Sequence, residues 1–198
     1  MNHSAQIVIR EAAEADREAI AGVLLEAYSE YSAVLPEPFW AQYRDSILDS
    51  VHGNAPVSRI VAELDGQIIG SVLLFTSSEA AYGRPELDIH TPIIRLLAVS
   101  PAVRGRGVAR LLIREAARQS ALLGAASLNL HTSDMMASAI RLYEKLGFQR
   151  AYETDIKNGD TLVKGYRLEL PVSAGLQTQA NLHLHSLSGN VPPSFRGR

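Results

Sequence analysis

The chain has 198 residues, 46% of them hydrophobic, which is typical of a single globular domain with tails. Its formal net charge of −2 gives no electrostatic reason to expect binding to nucleic acid or to an anionic membrane surface. The chain has no cysteine, which excludes disulfides, a thiolate metal site and a cysteine nucleophile.

The two ends of the sequence suggest its location and its boundaries. Residues 1–6 lack the basic segment and apolar stretch of a secretory signal, and no apolar run approaches the roughly 20 residues that cross a bilayer. We therefore expect a cytoplasmic protein. Residues 171–198 are rich in Ser, Gly, Pro, Gln and Asn, so we expect a folded domain over 1–170 and a disordered tail over 171–198.

Apolar periodicity predicts both strands and helices before residue 90. The predicted elements are a strand over 6–10, a helix over 13–31, a helix over 39–49 after Pro36 and Pro38, strands over 59–64 and 67–76, and a polar connection over 77–88. The two longer strands flank Asp65-Gly66, a pair that favours the tight turn of a β-hairpin. Both strand segments are rich in Val and Ile, which supports this assignment.

A strand, a glycine-rich loop and a helix follow in the centre of the chain. Residues Ile93 to Val99 are apolar and branched apart from Arg95, and Ser100-Pro101 ends the strand because proline cannot donate in a central ladder. Arg104-Gly-Arg-Gly107 then leads into a predicted helix. The free amides and positive dipole of such a helix start, next to glycines that let a ligand approach, can cradle a phosphate. A tight turn with solvated arginines is the alternative.

The helix after this loop is predicted over 108–123, with Gly124 as its stop. Its buried stripe is predicted to contain five apolar residues, Val108, Leu111, Leu112, Ala116 and Leu123. Arginines recur every fourth residue on another face, at Arg110, Arg114 and Arg118, which favours a solvated surface over a second phosphate site.

The last part of the domain is predicted to alternate between strand and helix again. The elements are a strand over 127–131, a helix from the candidate N-caps Ser133 and Asp134 to Leu146, and strands over 149–154 and 162–170 joined through Asn158-Gly159. The strand over 127–131 should be parallel to that over 93–99, because a helix crosses between them.

The central loop is neither a dinucleotide-binding fingerprint nor a P-loop, because the third glycine of the first and the Gly-Lys-Ser/Thr of the second are absent. Arg104-x-x-Gly107-x-Ala109, placed after Leu-Ala-Val-Ser-Pro, resembles the acyl-CoA pyrophosphate loop of the GNAT-type N-acetyltransferase superfamily. The segment Leu142 to Phe148, Leu-Tyr-Glu-Lys-Leu-Gly-Phe, resembles the second signature of that superfamily. The resemblance implies a mixed α/β GNAT fold, with a mostly antiparallel sheet, a parallel pair of strands at the acyl-CoA site and helices on both faces.

The resemblance also implies a function and the residues that carry it. The expected reaction is acetyl transfer from acetyl-CoA to a small-molecule or peptide amine, without a metal, nucleic acid or membrane partner, and with a homodimer left open. Tyr143 occupies the position of the general acid that protonates the leaving thiolate. The residues expected to bind the coenzyme are the strand end and the loop, namely Leu97, Ala98, Val99, Arg104, Gly105, Arg106, Gly107, Val108, Ala109 and Arg110. Without a cysteine, direct attack by the amine is the simpler route.

The general base is not assigned by the resemblance. Many relatives have a glutamate at the position of Ile93 and an asparagine at that of Met136. The nearby candidates are Glu86, Asp88, His90 and His131, and a chain of waters would make a dedicated base unnecessary. The missing glutamate leaves open a non-catalytic acyl-CoA sensor, and the loop alone leaves open a nucleotide or phosphometabolite binder; Tyr143 argues against both.

Two further features concern the acceptor side. Arg95 places a charge inside a predicted central strand, so it either holds a carboxylate in the acceptor cavity or pairs with Glu63 or Asp88. In the family the first two helices cover the acceptor pocket. The aromatic residues of this region, which are Tyr28, Tyr31, Phe39 and Trp40, are therefore candidates to line it, with plain core packing as the alternative.

Overall fold

The computed structural model describes residues 6–33, 35–159 and 161–171. The strands within these ranges are Val8–Glu11 (β1), Ser58–Leu64 (β2), Gln67–Phe75 (β3), Ile93–Val99 (β4), Ser127–Thr132 (β5), Gln149–Arg150 (β6), Ile156–Asn158 (β7) and Thr161–Glu169 (β8). The α-helices are Arg17–Tyr28 (α1), Glu37–His52 (α2), Ser78–Tyr82 (α3), Val108–Leu122 (α4) and Ala137–Lys145 (α5).

The described strands form one sheet in the order β1-β2-β3-β4-β5-β8-β6, with β7 paired to β8. The paired strands run antiparallel except β4 and β5, which are parallel because α4 crosses between them. This confirms the predicted fold class, a mostly antiparallel sheet with a parallel pair. The β2–β3 hairpin at Asp65-Gly66 and the bounds of β4 agree with the sequence-based expectation.

Helices cover both faces of the sheet. Along β3, Leu73 and Phe75 pack on one face against α1 and α2, while Val72 and Leu74 pack on the other against α4. This alternation is the period of two that a strand imposes on its side chains. The fully buried branched side chains of the helices include Ile20, Leu24, Ile47, Leu112 and Ile113, each contributing about 1.5–3 kcal/mol by burial.

Four local predictions were wrong for identifiable reasons. Helix α2 starts before the predicted residue 39, since Pro38 occupies its first turn, where a missing N–H has no cost. The polar connection over 77–88 contains α3, which Ser77 caps by accepting from the amide of Ala80. The segment 149–154 is a two-residue strand and a 3-10 turn. Leu123 is 56% exposed, because it lies beyond the last residue of α4.

The helix that carries the start of the second signature also differs from the prediction. Residues Asp134–Met136, which include the candidate N-cap Asp134, form a 3-10 turn, and the other candidate, Ser133, makes no side-chain capping hydrogen bond. Because this turn takes up residues 134–136, helix α5 begins at Ala137. The predicted tail over 171–198 lies, apart from Pro171, outside the described residues. None of the described helices is long and apolar enough to span a membrane.

Candidate functional site

The parallel strands β4 and β5 separate soon after they pair. Their register includes only Ile93 with Asn129 and Ile94 with Leu130 in the described residues. Beyond these pairs Leu96 adopts a positive φ of 54°, and the pairing of β4 with β3 shifts register between Ser71 and Leu73. This is a β-bulge, which bends β4 away from its neighbour and opens a gap between the two strands.

A cavity of about 420 Å³ fills this gap. Apart from one serine, its walls are aromatic, basic and apolar side chains from both faces of the fold; the lining residues are Tyr28, Tyr43, Ser46, Tyr82, Arg84, Ile94, Arg95, Leu96, Leu97, Leu130, His131, Met136, Tyr143, Ile156 and Val163. No described aspartate or glutamate lines it. Of the residues predicted for catalysis and coenzyme binding, Tyr143 of α5 and Leu97 of β4 line this cavity.

Tyr143 is the aromatic residue of the second signature. Its side chain is 7% exposed, and its ring packs against Phe148 at 5.8 Å between centroids. Burial, together with the neighbouring tyrosines, raises the pKa of the Tyr143 phenol. The phenol therefore stays protonated at neutral pH and can act as a proton donor inside the cavity.

The predicted phosphate loop follows the end of β4. Gly105 and Gly107 have φ values of 80° and 79°, a left-handed conformation that strains any residue with a Cβ atom. Gly107 directly precedes α4, so the unpaired amides of the first turn start at Val108. The side chain of Val108 is buried, which leaves only its backbone to meet a ligand.

The arginines of this loop differ in their partners. Arg104 forms an exposed ion pair with Glu30 at 3.3 Å and donates to the carbonyl of Ala27 at 3.5 Å. Arg106 and Arg110 are exposed and form no ion pair with the described part of the chain. Positive charge and free amides thus lie together at the start of a long helix, an arrangement suited to a diphosphate.

His131 makes two hydrogen bonds that fix its tautomer. Its Nε2 lies 2.8 Å from the carbonyl oxygen of Thr154, which can only accept, so Nε2 carries the proton. Its Nδ1 therefore accepts from the hydroxyl of Tyr82 at 3.1 Å. Burial is the main cause that lowers the pKa of His131 below its ordinary value of 6.5, so the ring is neutral at neutral pH.

The carbonyl that orients His131 belongs to a tightly packed turn. Gly165 of β8 lies opposite His131 in the sheet. A Cβ atom on Gly165 would stand 1.9 Å from Oγ1 of Thr154, so only glycine lets this turn approach β8. The turn thereby holds the Thr154 carbonyl against the imidazole.

Arg95 does not form either of the predicted ion pairs. Glu63 pairs with Arg10 and Asp88 with His90, and no described carboxylate forms an ion pair with Arg95. Its guanidinium donates to the carbonyl of Ala81 at the end of α3. It lies 4.9 Å from the ring centroid of Tyr82 and 5.5 Å from that of Phe75.

The other predicted residues separate into those near the cavity and those outside it. Tyr28 lines the cavity and donates from its hydroxyl to the carbonyl of Leu97 at 3.2 Å. Tyr31 and Trp40 pack at the edge of the core beside α1, and Phe39 is 63% exposed. The three base candidates Glu86, Asp88 and His90 are exposed and do not line the cavity.

Sequence reasoning missed Tyr43 and Tyr82 as cavity residues. Tyr82 stands at the end of α3, in a segment predicted to be an irregular connection, and Ser77 was its only helix signal. Tyr43 lies in α2, and no signal in the sequence placed it in a site. In the described ranges 6–33, 35–159 and 161–171, no group of three His, Asp or Glu side chains is placed to hold a metal ion.

The fold and this site define the class of protein. The family model of the acetyltransferase (GNAT) family matches residues 19–148, and the chain belongs to that family. The matched range begins in α1 and ends at Phe148, so it contains the divergent strands, the loop and Tyr143.

Relatives with assigned names are similar over about half of the chain. N-acetyltransferase family 8 member 2 of Rattus norvegicus is 36% identical over 97 residues, which is 49% of this chain and 41% of the relative. N-acetylaspartate synthetase of Danio rerio is 35% identical over 95 residues, which is 48% of this chain and 30% of the relative. The match thus spans less than half of the length of either relative.

Solved structures resemble the chain over most of its length. The PaiA N-acetyltransferase of Thermoplasma acidophilum, in complex with coenzyme A, aligns with a TM-score of 0.62 at 16% identity, covering 82% of this chain and 99% of that one. The ribosomal-protein-S18-alanine N-acetyltransferase of Escherichia coli aligns with a TM-score of 0.56 at 20% identity, covering 85% and 95%. At such identities the likeness demonstrates a shared fold.

Proposed function

We propose that this chain is an acetyl-CoA-dependent N-acetyltransferase that moves an acetyl group directly to a primary amine, with Tyr143 as general acid. The observation that carries the proposal is the shared cavity of Tyr143 and Leu97, at the point where β4 and β5 diverge. Membership of the family and the likeness to a coenzyme A complex support it. The acceptor is a small molecule or a peptide amine.

The coenzyme is proposed to lie along the end of β4 and the loop. The backbone of Leu97, Ala98 and Val99 would meet the pantetheine arm and the thioester. The diphosphate would rest on the amides of residues 105–110, with Arg106 and Arg110 adding charge. Arg104 would exchange its exposed pair with Glu30 for a phosphate, a change of low cost because such surface pairs contribute at most about 1 kcal/mol.

The chemical step needs a neutral amine, a stabilised oxyanion and a proton for the leaving sulfur. The amine nitrogen attacks the thioester carbon, so a C–N bond forms and the carbonyl oxygen becomes an oxyanion beside the amides of β4. The C–S bond then breaks, and Tyr143 donates its proton to the thiolate. Solvent restores the phenol, and the products are an amide and free coenzyme A.

The proton of the amine has a proposed route through Tyr82 and His131. The Tyr82 hydroxyl donates to Nδ1 of His131, and both side chains line the cavity. Tyr82 can therefore accept the amine's proton as its own proton passes to Nδ1, and the imidazolium then releases its extra proton to solvent, which restores both side chains. Of the four base candidates read from the sequence, His131 is the one that lines the cavity.

A non-catalytic acyl-CoA sensor is the second candidate, favoured by Ile93 at a position where relatives have glutamate. Two measurements separate the candidates. Titration calorimetry with acetyl-CoA tests for the binding site, and thiol release from acetyl-CoA across a panel of amines tests for turnover. Binding with amine-dependent thiol release supports the enzyme, whereas binding without turnover on any amine supports the sensor.

A further inference from the structure

We propose that the acceptor amine also carries a carboxylate, and that Arg95 with Arg84 binds this carboxylate in the cavity. This inference rests on the proposed acetyl transfer and names the class of its acceptor. It is carried by an arginine held in position by uncharged groups, in a cavity where no described acidic side chain balances it.

The guanidinium of Arg95 is held in place without being neutralised. One of its nitrogens donates to the carbonyl of Ala81, and the rings of Tyr82 and Phe75 lie 4.9 and 5.5 Å from its central carbon. These contacts fix the plane of the group. An arginine has five N–H donors in a fork that matches a carboxylate, so donors remain for a ligand.

On the cavity side of Arg95, no described acidic side chain compensates its charge. The cavity is lined by a second arginine, Arg84, which follows α3 and forms no ion pair within the described residues. Two acidic residues, Asp45 and Asp49, line a separate outer cleft of about 620 Å³, which Arg95 also borders. A partly buried cation without a partner is costly, and an anionic ligand relieves that cost.

The coenzyme does not supply this anion in the proposed binding mode. Its phosphates would lie at the loop before α4, and the part that reaches the cavity is a neutral thioester with a neutral arm. The acceptor is then the molecule that brings negative charge to Arg95. A carboxylate held there would fix the position of the acceptor, and with it the approach of its amine to the thioester.

The test uses pairs of acceptors that differ only in charge. Glycine, β-alanine and 4-aminobutanoate are each compared with their primary amides, so the distance between amine and carboxylate also varies. We expect the carboxylate member of at least one pair to have the higher kcat/KM, by about tenfold or more, as for a charge-assisted contact. The amide has the more weakly basic amine, so protonation of the amine alone would favour the amide.

Arginine variants test whether the preference for a carboxylate arises in the cavity. Arg95→Met and Arg84→Met should each lower the preference through KM for the carboxylate, with the larger loss in Arg95→Met and partial recovery in Arg95→Lys. The affinity for acetyl-CoA should stay the same. Arg114→Met removes an exposed arginine of α4 outside the cavity and should leave the preference unchanged.

Three results would overturn the inference. They are equal kcat/KM values within every pair, a preference that Arg95→Met leaves intact, or acetylation of neutral amines with none of the carboxylates. Each of these leaves the proposed acetyl transfer standing. Failure of the proposed function is a different result, in which no amine of either kind releases thiol from bound acetyl-CoA.

Discussion

The hydroxyl of Tyr82 donates to Nδ1 of His131 across 3.1 Å, although the two residues are 49 positions apart in the chain. Their rings meet edge to face at 5.2 Å between centroids. The Thr154 carbonyl holds the far side of the imidazole, and Arg95 lies beside the phenol ring. The two side chains form a hydrogen-bonded pair from the cavity wall to a neutral imidazole, which is the arrangement that a proton acceptor requires.

This pair predicts how acid affects turnover. His131 accepts a proton only while neutral, and burial lowers its pKa below 6.5. The kcat at saturating substrates should therefore be level above about pH 6.5 and fall on acidification through the lowered pKa. Asp155 and the Thr154 carbonyl raise this pKa, while Arg150 and Arg95 lower it along with burial.

Substitutions of Tyr82 and of His131 should distinguish the roles of the two side chains. Tyr82→Phe keeps the ring beside Arg95 but removes the hydroxyl through which the amine's proton would pass to His131, so kcat should fall by about 10²-fold. In His131→Gln, kcat should fall, and its further decrease on acidification should disappear. His90→Gln is the matched control, since His90 is exposed and paired with Asp88. If kcat of His131→Gln still decreased on acidification as in the unchanged protein, another group would be responsible for that decrease.

The hydroxyl of Tyr143 is predicted to act on the leaving thiolate. Tyr143→Phe keeps the packing against Phe148 and removes only the donor, so kcat should fall by about 10²-fold. The dissociation constant for acetyl-CoA, measured by calorimetry, should stay within about twofold. Tyr152→Phe, at a side chain that is 72% exposed, should change neither quantity. A large loss of affinity in Tyr143→Phe would instead identify a packing residue.

The left-handed glycine before α4 provides a test of the phosphate loop. A Cβ atom at Gly107 meets nothing within 4 Å, so Gly107→Ala changes backbone preference rather than packing. Because φ is 79° there, the loop should reshape or strain by about 1–2 kcal/mol, and acetyl-CoA should bind about tenfold or more weakly.

The end of the same helix supplies the control for this variant. Gly124 has a φ of 78° and equally open surroundings. Gly124→Ala and Gly107→Ala should both lower the melting temperature by a few degrees, but Gly124→Ala should have no effect on coenzyme affinity. Equal affinities in the two variants would show that the loop does not hold the coenzyme.

Local signals accounted for much of the fold. The apolar run of β4, the Asp65-Gly66 turn and Gly107 before α4 are each decided by neighbouring residues, and each was predicted from the sequence. The order of the elements also fixed the parallel relation of β4 and β5, because a helix must cross between them.

The acceptor side of the cavity could not be predicted in the same way. Helix α3 has five residues, too few for a periodic pattern, yet its last turn provides Ala81 for Arg95 and Tyr82 for His131. Glu63 was one of the alternative partners for Arg95 but binds Arg10, since strand register rather than sequence distance decides which side chains meet. Such contacts depend on tertiary packing and leave little local signal.

A crystal structure of the complex with coenzyme A tests the central claim most directly. The diphosphate should rest on the amides of residues 105–110, and the thiol sulfur should lie within hydrogen-bonding distance of the Tyr143 hydroxyl, in the gap where β4 and β5 separate. A sulfur outside that gap, or one that faces a wall other than Tyr143, would contradict the account.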